Sequence, residues 1–272
     1  MDAFICRRCG VQYAPTELPP ERCPICEDER ECVAWDGQQW TTVAELIAEG
    51  RRNHVSEEEP GLYAVDTRPA VAIGQRALLV QTPHGNVMWD CVSLVDEASV
   101  ERVRELGGLT AIAISHPHFY ASNAEWSRAF GNCPVYIHKA DAEHVQYLHP
   151  AVRLWDSPDH RLEILPGVTL IHTGGHFAGS QVLHWAAGCD GQGAILTGDT
   201  ITVVMDRRSV SFMYSYPNLI PLGERAIGQI LDRVRPFRFE RIYGGWNGRI
   251  VRADGADALE RSAERYLRFI RE

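Results

Sequence analysis

From Gly61 onward, apolar positions come in short bursts separated by turn residues. LYAVD (62–66), ALLVQT (77–82) and NVMWDCV (86–92) read as strands, the last two joined by a PHG turn. DEASVERVREL has helical spacing and stops at Gly107–Gly108. AIAIS (111–115) is a strand, SNAEWSRAF a helix opened by a Ser122–Glu125 capping box, PVYIH a strand and ADAEHVQYL a helix. Strand candidates follow at 161–165, 168–173, 181–186 and 193–197. An aromatic loop, a helix at 221–235, a strand at 240–243 and a helix at 256–271 complete the chain. A β-meander mixed with βα units predicts an α/β sandwich with helices outside the sheets.

Upstream, the pattern changes. Residues 4–34 have few large apolar side chains and several prolines. TTVAELIAEG reads as a helix with a Thr42–Glu45 capping box and Gly50 as its stop. RRNHVSEEEPG (51–61) is polar, lacks periodicity and reads as a linker. The expected organisation is a small module at 1–40, a helix and linker at 41–60, and one large domain at 61–272.

Composition narrows the partners. The 272 residues are 45% hydrophobic and 23% charged, enough for a real core, and the net charge is −9. That field disfavours a nucleic-acid backbone or an anionic membrane as partner. MDAFICRRCG has no apolar signal core and no run approaches a membrane span, so a cytoplasmic protein is expected. In that setting eight cysteines point to metal ligation or burial rather than disulfides.

Four of those cysteines fall in two CxxC pairs, Cys6/Cys9 and Cys23/Cys26. So short a segment cannot bury enough surface to fold alone, and it needs a staple. Two knuckles presenting four thiolates suit tetrahedral zinc, with iron as the alternative. The stretch resembles the rubredoxin-type ribbon in its CxxCG, Tyr13, LPP and CPIC. Glu27 stands where rubredoxins usually carry the second knuckle's glycine, which favours structural zinc.

Four short sequences follow strands: HPHFY (116–120), GGHFAGS (174–180), TGDT (197–200) and GGWNG (244–248). Strand ends in α/β sheets are where functional loops collect. If these align, His116, His118, His176 and Asp199 converge as ligands for one divalent metal, Zn2+ or Fe2+. The remaining histidines are not expected to form a set.

From about residue 60 to 271 the chain resembles the metallo-β-lactamase superfamily, an αββα four-layer sandwich. HPHFYA at 116–121 stands at the family's HxHxDH, followed by GGH at 174–176 and Gly198–Asp199. The resemblance makes Asp90 of MWDC a support for the histidine loop. It also exposes departures. Tyr120 and Ala121 replace the Asp and His that serve a second metal, and Trp246 or Asn247 replaces its last histidine. The first-site set is intact and the second is stripped, which implies a mononuclear centre.

A metal held by three histidines and an aspartate makes water much more acidic, with Asp199 as the available base and Tyr120 as a donor to a developing oxyanion. The reading is a hydrolase of a small ester, thioester or lactone. The alternatives are an iron oxygenase resembling persulfide dioxygenase and a non-catalytic scaffold. RRSVSFMYSYPNLIPLG (207–223) carries Tyr214 and Tyr216. It either lines a pocket over a small-molecule substrate, with Trp246 and Asn247, or packs on the core or a second copy in a homodimer.

Overall fold

The computed structural model describes residues 1–272. The ribbon has little regular structure. Ile5–Cys6 (β1) pairs antiparallel with Trp40–Thr41 (β2), and Pro24–Glu27 (α1) makes one turn between them. Val43–Ala48 (α2) starts at the expected capping box, with Glu45 N–H donating to Thr42 Oγ1 at 3.2 Å and Thr42 N–H to Glu45 Oε2 at 3.0 Å. Ile5 and Leu46 bury against Val71 and Leu94, so the ribbon shares its apolar contacts with the chain that follows.

Contacts divide the chain into two units, 1–137 with 142–154 and 138–141 with 155–272. The ribbon lies in the first.

That unit is built around a seven-stranded sheet. Its elements in chain order are Arg52–Glu59 (β3), Leu62–Arg68 (β4), Arg76–Thr82 (β5), Gly85–Trp89 (β6), Glu97–Glu105 (α3), Ala111–Ala113 (β7), Asn123–Ala129 (α4), Val135–His138 (β8) and Val152–Trp155 (β9). The sheet order is the chain order, β3 to β9. Strands β3 to β6 are antiparallel neighbours, whereas β6–β7 and β7–β8 are parallel. The parallel steps need crossovers, and α3 and α4 supply them. Both β6 and β7 therefore end at one edge, where Asp90 and the HPHFYAS loop emerge.

The second unit holds Arg161–Leu165 (β10), Val168–His172 (β11), Gln181–Trp185 (β12), Gly188–Gly191 (α5), Ala194–Gly198 (β13), Thr202–Val203 (β14), Val210–Ser211 (β15), Met213–Ser215 (β16), Ile220–Pro221 (β17), Glu224–Val234 (α6), Arg241–Gly244 (β18), Ile250–Val251 (β19) and Gly255–Arg271 (α7). Its six-stranded sheet runs β10-β11-β12-β13-β18-β19. Ile171, Val182 and Ile195 of the sheet bury with Ile227 and Ile230 of α6 and Ala258 of α7. No helix is long and apolar enough to cross a membrane.

Several expectations are corrected. Residues 51–61 are not a linker: β3 occupies most of them and pairs with β4 along its length. Its polar sequence is that of an edge strand with one neighbour, which needs few apolar residues. Ser122 does not cap α4; its hydroxyl donates to Ser93 O at 2.6 Å instead. ADAEHVQYL forms only a kinked 3-10 turn at Lys139–His144, and β9 goes unread in the sequence.

Candidate metal centre

His116 leaves β7 in extended backbone, and Pro117–Phe119 then makes one 3-10 turn that carries His118. Both imidazoles are buried, their centroids 5.2 Å apart and edge-to-face. Asp90, in the left-handed region at φ 62°, accepts Ser115 N–H on Oδ1 at 2.7 Å while its own N–H donates to Ala113 O. The carboxylate thus fixes the backbone one residue before His116. Ser115 Oγ lies 2.9 Å from His116 Nδ1. With Nδ1–H donating there, Nε2 keeps its lone pair for a metal.

His176 is prepared in the same way from its own unit. Gly175 precedes it at φ +95°, and a Cβ there would lie 2.9 Å from Ile230 Cδ1, so only glycine lets the turn pack this closely on α6. His176 Nδ1 lies 3.0 Å from Met213 O, which selects the tautomer whose Nε2 is an acceptor. That Nε2 is 3.7 Å from Asp199 Oδ1. Burial pushes the Asp199 carboxyl up to about 8, the response of an acid held away from water. Tyr216 O–H donates to Asp199 O at 2.7 Å and lies 2.5 Å from Thr202 Oγ1, so the aspartate's backbone is anchored from the aromatic insert.

The ligand atoms of His116, His118, His176 and Asp199 all lie within 4.8 Å of one another, and all four residues are buried. Tyr120 and Ala121, which follow in the same loop, are buried too, with Ala121 at φ 42°. Trp246 is half-buried and Asn247 exposed on the turn after β18, held by Gly245 N–H donating to Gly198 O at 2.9 Å. Tyr214 packs against the apolar core of its unit.

The four ribbon cysteines make a second such group. Cys6 Sγ is 3.5 Å from Cys26 Sγ, and Cys9 Sγ is 3.7 Å from Cys23 Sγ. Hydrogen bonds from the neighbouring thiols, Cys23 first, hold Cys6 well below the ordinary thiol range. Two side chains outside the knuckles donate to sulfur: Tyr13 O–H to Cys23 at 3.0 Å and Gln38 Nε2–H to Cys6 at 3.2 Å. Such donors stabilise thiolate charge in a buried site.

Sequence reasoning missed Ser115, Met213 and Gln38. A backbone carbonyl such as Met213 O leaves no residue-type signal at all. It also missed a histidine set. His138 and His172 stack with centroids 3.5 Å apart, and Arg233 reaches His172 Nδ1 at 3.4 Å and His160 Nε2 at 3.5 Å.

The description "Metallo-beta-lactamase superfamily" matches residues 72–246. The chain belongs to that superfamily. It is 44% identical to an uncharacterized protein, YmaE, of Bacillus subtilis (strain 168), over 99% of this chain and 97% of that one. The family match begins beyond the ribbon; the YmaE match takes the ribbon in. Among solved structures, the fold is similar to the metallo-β-lactamase FIM-1 from Pseudomonas aeruginosa in its mono-zinc form, at TM-score 0.58 and 14% identity, covering 80% of this chain and 96% of that one. A metallo-β-lactamase of Cronobacter sakazakii with a HARLDQ motif gives TM-score 0.52 and 17% identity, over 80% and 92%. At these identities the likeness is one of fold.

Proposed function

We propose that the chain is a mononuclear metal-dependent hydrolase of a small ester, thioester or lactone, with a structural zinc ion in its ribbon. The observation that carries the reading is the buried group of His116, His118, His176 and Asp199, beside second-site positions held by Tyr120 and Ala121. Three imidazoles and one carboxylate suit a single divalent ion. The mono-zinc state of the FIM-1 structure is one precedent for such a centre in this fold. When bound, the ion supplies Lewis-acid polarisation of a substrate carbonyl and lowers the pKa of water.

The protein's own groups do the rest. Met213 O takes the Nδ1 proton of His176, and Ser115 Oγ hydrogen-bonds His116 Nδ1, so both rings are held in place. Asp90 holds the turn that aims the first pair. Asp199 is the carboxylate of the group and the acceptor available to a proton from the attacking water. Tyr120, in the loop that carries His116 and His118, is the phenol available to hydrogen-bond an oxyanion developing on a tetrahedral carbon.

The test is metal content with a substrate panel. The full chain should hold two zinc ions, and His116→Ala should lose one together with hydrolysis of a thioester or lactone. Three ions, or hydrolysis indifferent to His116→Ala, would sink the reading. Two iron ions instead of two zinc, with the cysteine ribbon's iron turning the protein visibly red, would favour the oxygenase.

A further inference from the structure

The chain is acidic overall, yet one groove on the second unit is lined by four arginines. Arg207 and Arg208 approach from the turn between β14 and β15, Arg252 from the end of β19 and Arg261 from α7, around a cavity of about 510 Å³. Most arginines elsewhere hold carboxylates, as Arg7, Arg68, Arg76 and Arg235 do. None of these four has a carboxylate oxygen within 4.0 Å. All four are exposed and line the groove.

Two acids share the lining, too few to offset four arginines. Asp206 turns its carboxylate into its own loop, where Oδ1 accepts the N–H groups of Arg208 and Ser209 at 2.8 Å each. Those bonds, with Ser209's side chain and Arg265, hold its pKa below the usual carboxylate range, so it stays charged and occupied. Asp254, the residue before α7, is the second acid of the lining. Four cations against two carboxylates leave a surplus of two positive charges in a chain whose net charge is −9.

We infer that this groove binds a small phosphorylated molecule through Arg207, Arg208, Arg252 and Arg261. A phosphate group carries about −1.5 to −2 charges near neutral pH, which matches the surplus. Guanidinium forks pair with phosphate oxygens in bidentate fashion, as a lysine patch would not. The cavity falls in the range of about 300–1,000 Å³ typical of small-ligand sites. A nucleic-acid backbone, which needs an extended run of cations, fits less well in a groove that sets two carboxylates among four arginines.

Calorimetric titration of the full-length protein with ADP and with inorganic pyrophosphate tests this, at about 50 mM and about 150 mM salt. The two probes separate a nucleotide from a bare phosphate source. Binding should weaken with salt and fall about tenfold or more in Arg252→Gln/Arg261→Gln, with unchanged circular dichroism. Arg252→Lys/Arg261→Lys should keep part of it, and the distant exposed pair Arg153→Gln/Arg161→Gln all of it. Binding that survives the first double substitution belongs to another site and overturns the inference. So does a failure of both probes to bind at low salt, or tighter binding of a short single-stranded RNA.

Discussion

Gln12 N–H donates to Ala121 O at 3.0 Å. One residue sits three positions beyond the first cysteine knuckle; the other closes the interrupted histidine motif. The contact is reinforced nearby, where Ser93 O–H donates to Gly10 O at 2.8 Å and a Cβ on Gly10 would come within 2.6 Å of Ser93 Oγ. Ala121 accepts this bond from left-handed backbone at φ 42°, a conformation alanine seldom adopts and the surrounding contacts must hold. The ribbon is therefore fastened to the loop that presents His116 and His118.

Removing the ribbon's metal should be felt in that loop. Cys6→Ser with Cys9→Ser should release one metal per chain and open residues 1–34 to proteolysis. Amide hydrogen exchange should also rise across residues 116–122. A variant with unchanged metal content would refute the ribbon reading, and unchanged exchange in the loop would refute the coupling.

Loss of a support should weaken the histidine centre without dissolving it. Asp90→Ala removes the acceptor of Ser115 N–H. Metal affinity of the large domain should drop about 10–100-fold, while the ribbon keeps its ion. Equilibrium titration against a competing chelator reads the change.

Tyr120 has two physical roles to choose between. As an oxyanion donor, Tyr120→Phe should leave the metal and the fold intact and lower kcat about a hundredfold. As a plug in the vacated second site, the same change should cost little because the ring remains. Tyr120→Asp with Ala121→His rebuilds most of the second site, and a further bound ion in that variant would support the plug.

Stability should depend on the stacked histidines. Burial, then His172 beside it and Arg233 and His160 beyond, lower His138 to about 4, against the opposing pull of Asp156. A depressed histidine pKa means that the unfolded chain takes up a proton the folded one refuses. Its contribution is fully present above about pH 6.5 and is lost as pH falls toward about 4. By about pH 5 the loss should reach about 2 kcal/mol. Urea unfolding of the wild type and His138→Phe checks it: the variant should lose stability less steeply, and equal slopes would count against the assignment.

Much of this architecture was readable from the chain. Alternating and helical periods located most strands and helices from 61 onward, because those elements bury a face and must pattern it. The CxxC pairs and the three ordered motifs named the residues of both clusters that lie close enough to hold a metal, because metal chemistry restricts residue types severely. Elements stabilised by something other than an apolar face escaped. β3 is polar and partly defined by Glu58, whose carboxylate lies 2.7 Å from the guanidinium of fully buried Arg76. Ser122 has the spacing of a capping residue, but the nearby Ser93 carbonyl wins its hydroxyl. Met213 matters through its carbonyl, and the His138–His172 stack joins two strands far apart in sequence.

β3 has one further consequence. It ends its sheet with β4 as its only neighbour, so its outer backbone groups face away from the ladder. Asn53 N–H is taken by Asp96 at 3.0 Å, and exposed Arg52 and Glu57 put charge along the same strand. An open strand edge is where folded chains zip onto one another, and charged side chains discourage the approach. Arg52 and Glu57 thus stand as a fence along that edge, against the pairing of one copy with the next at high concentration.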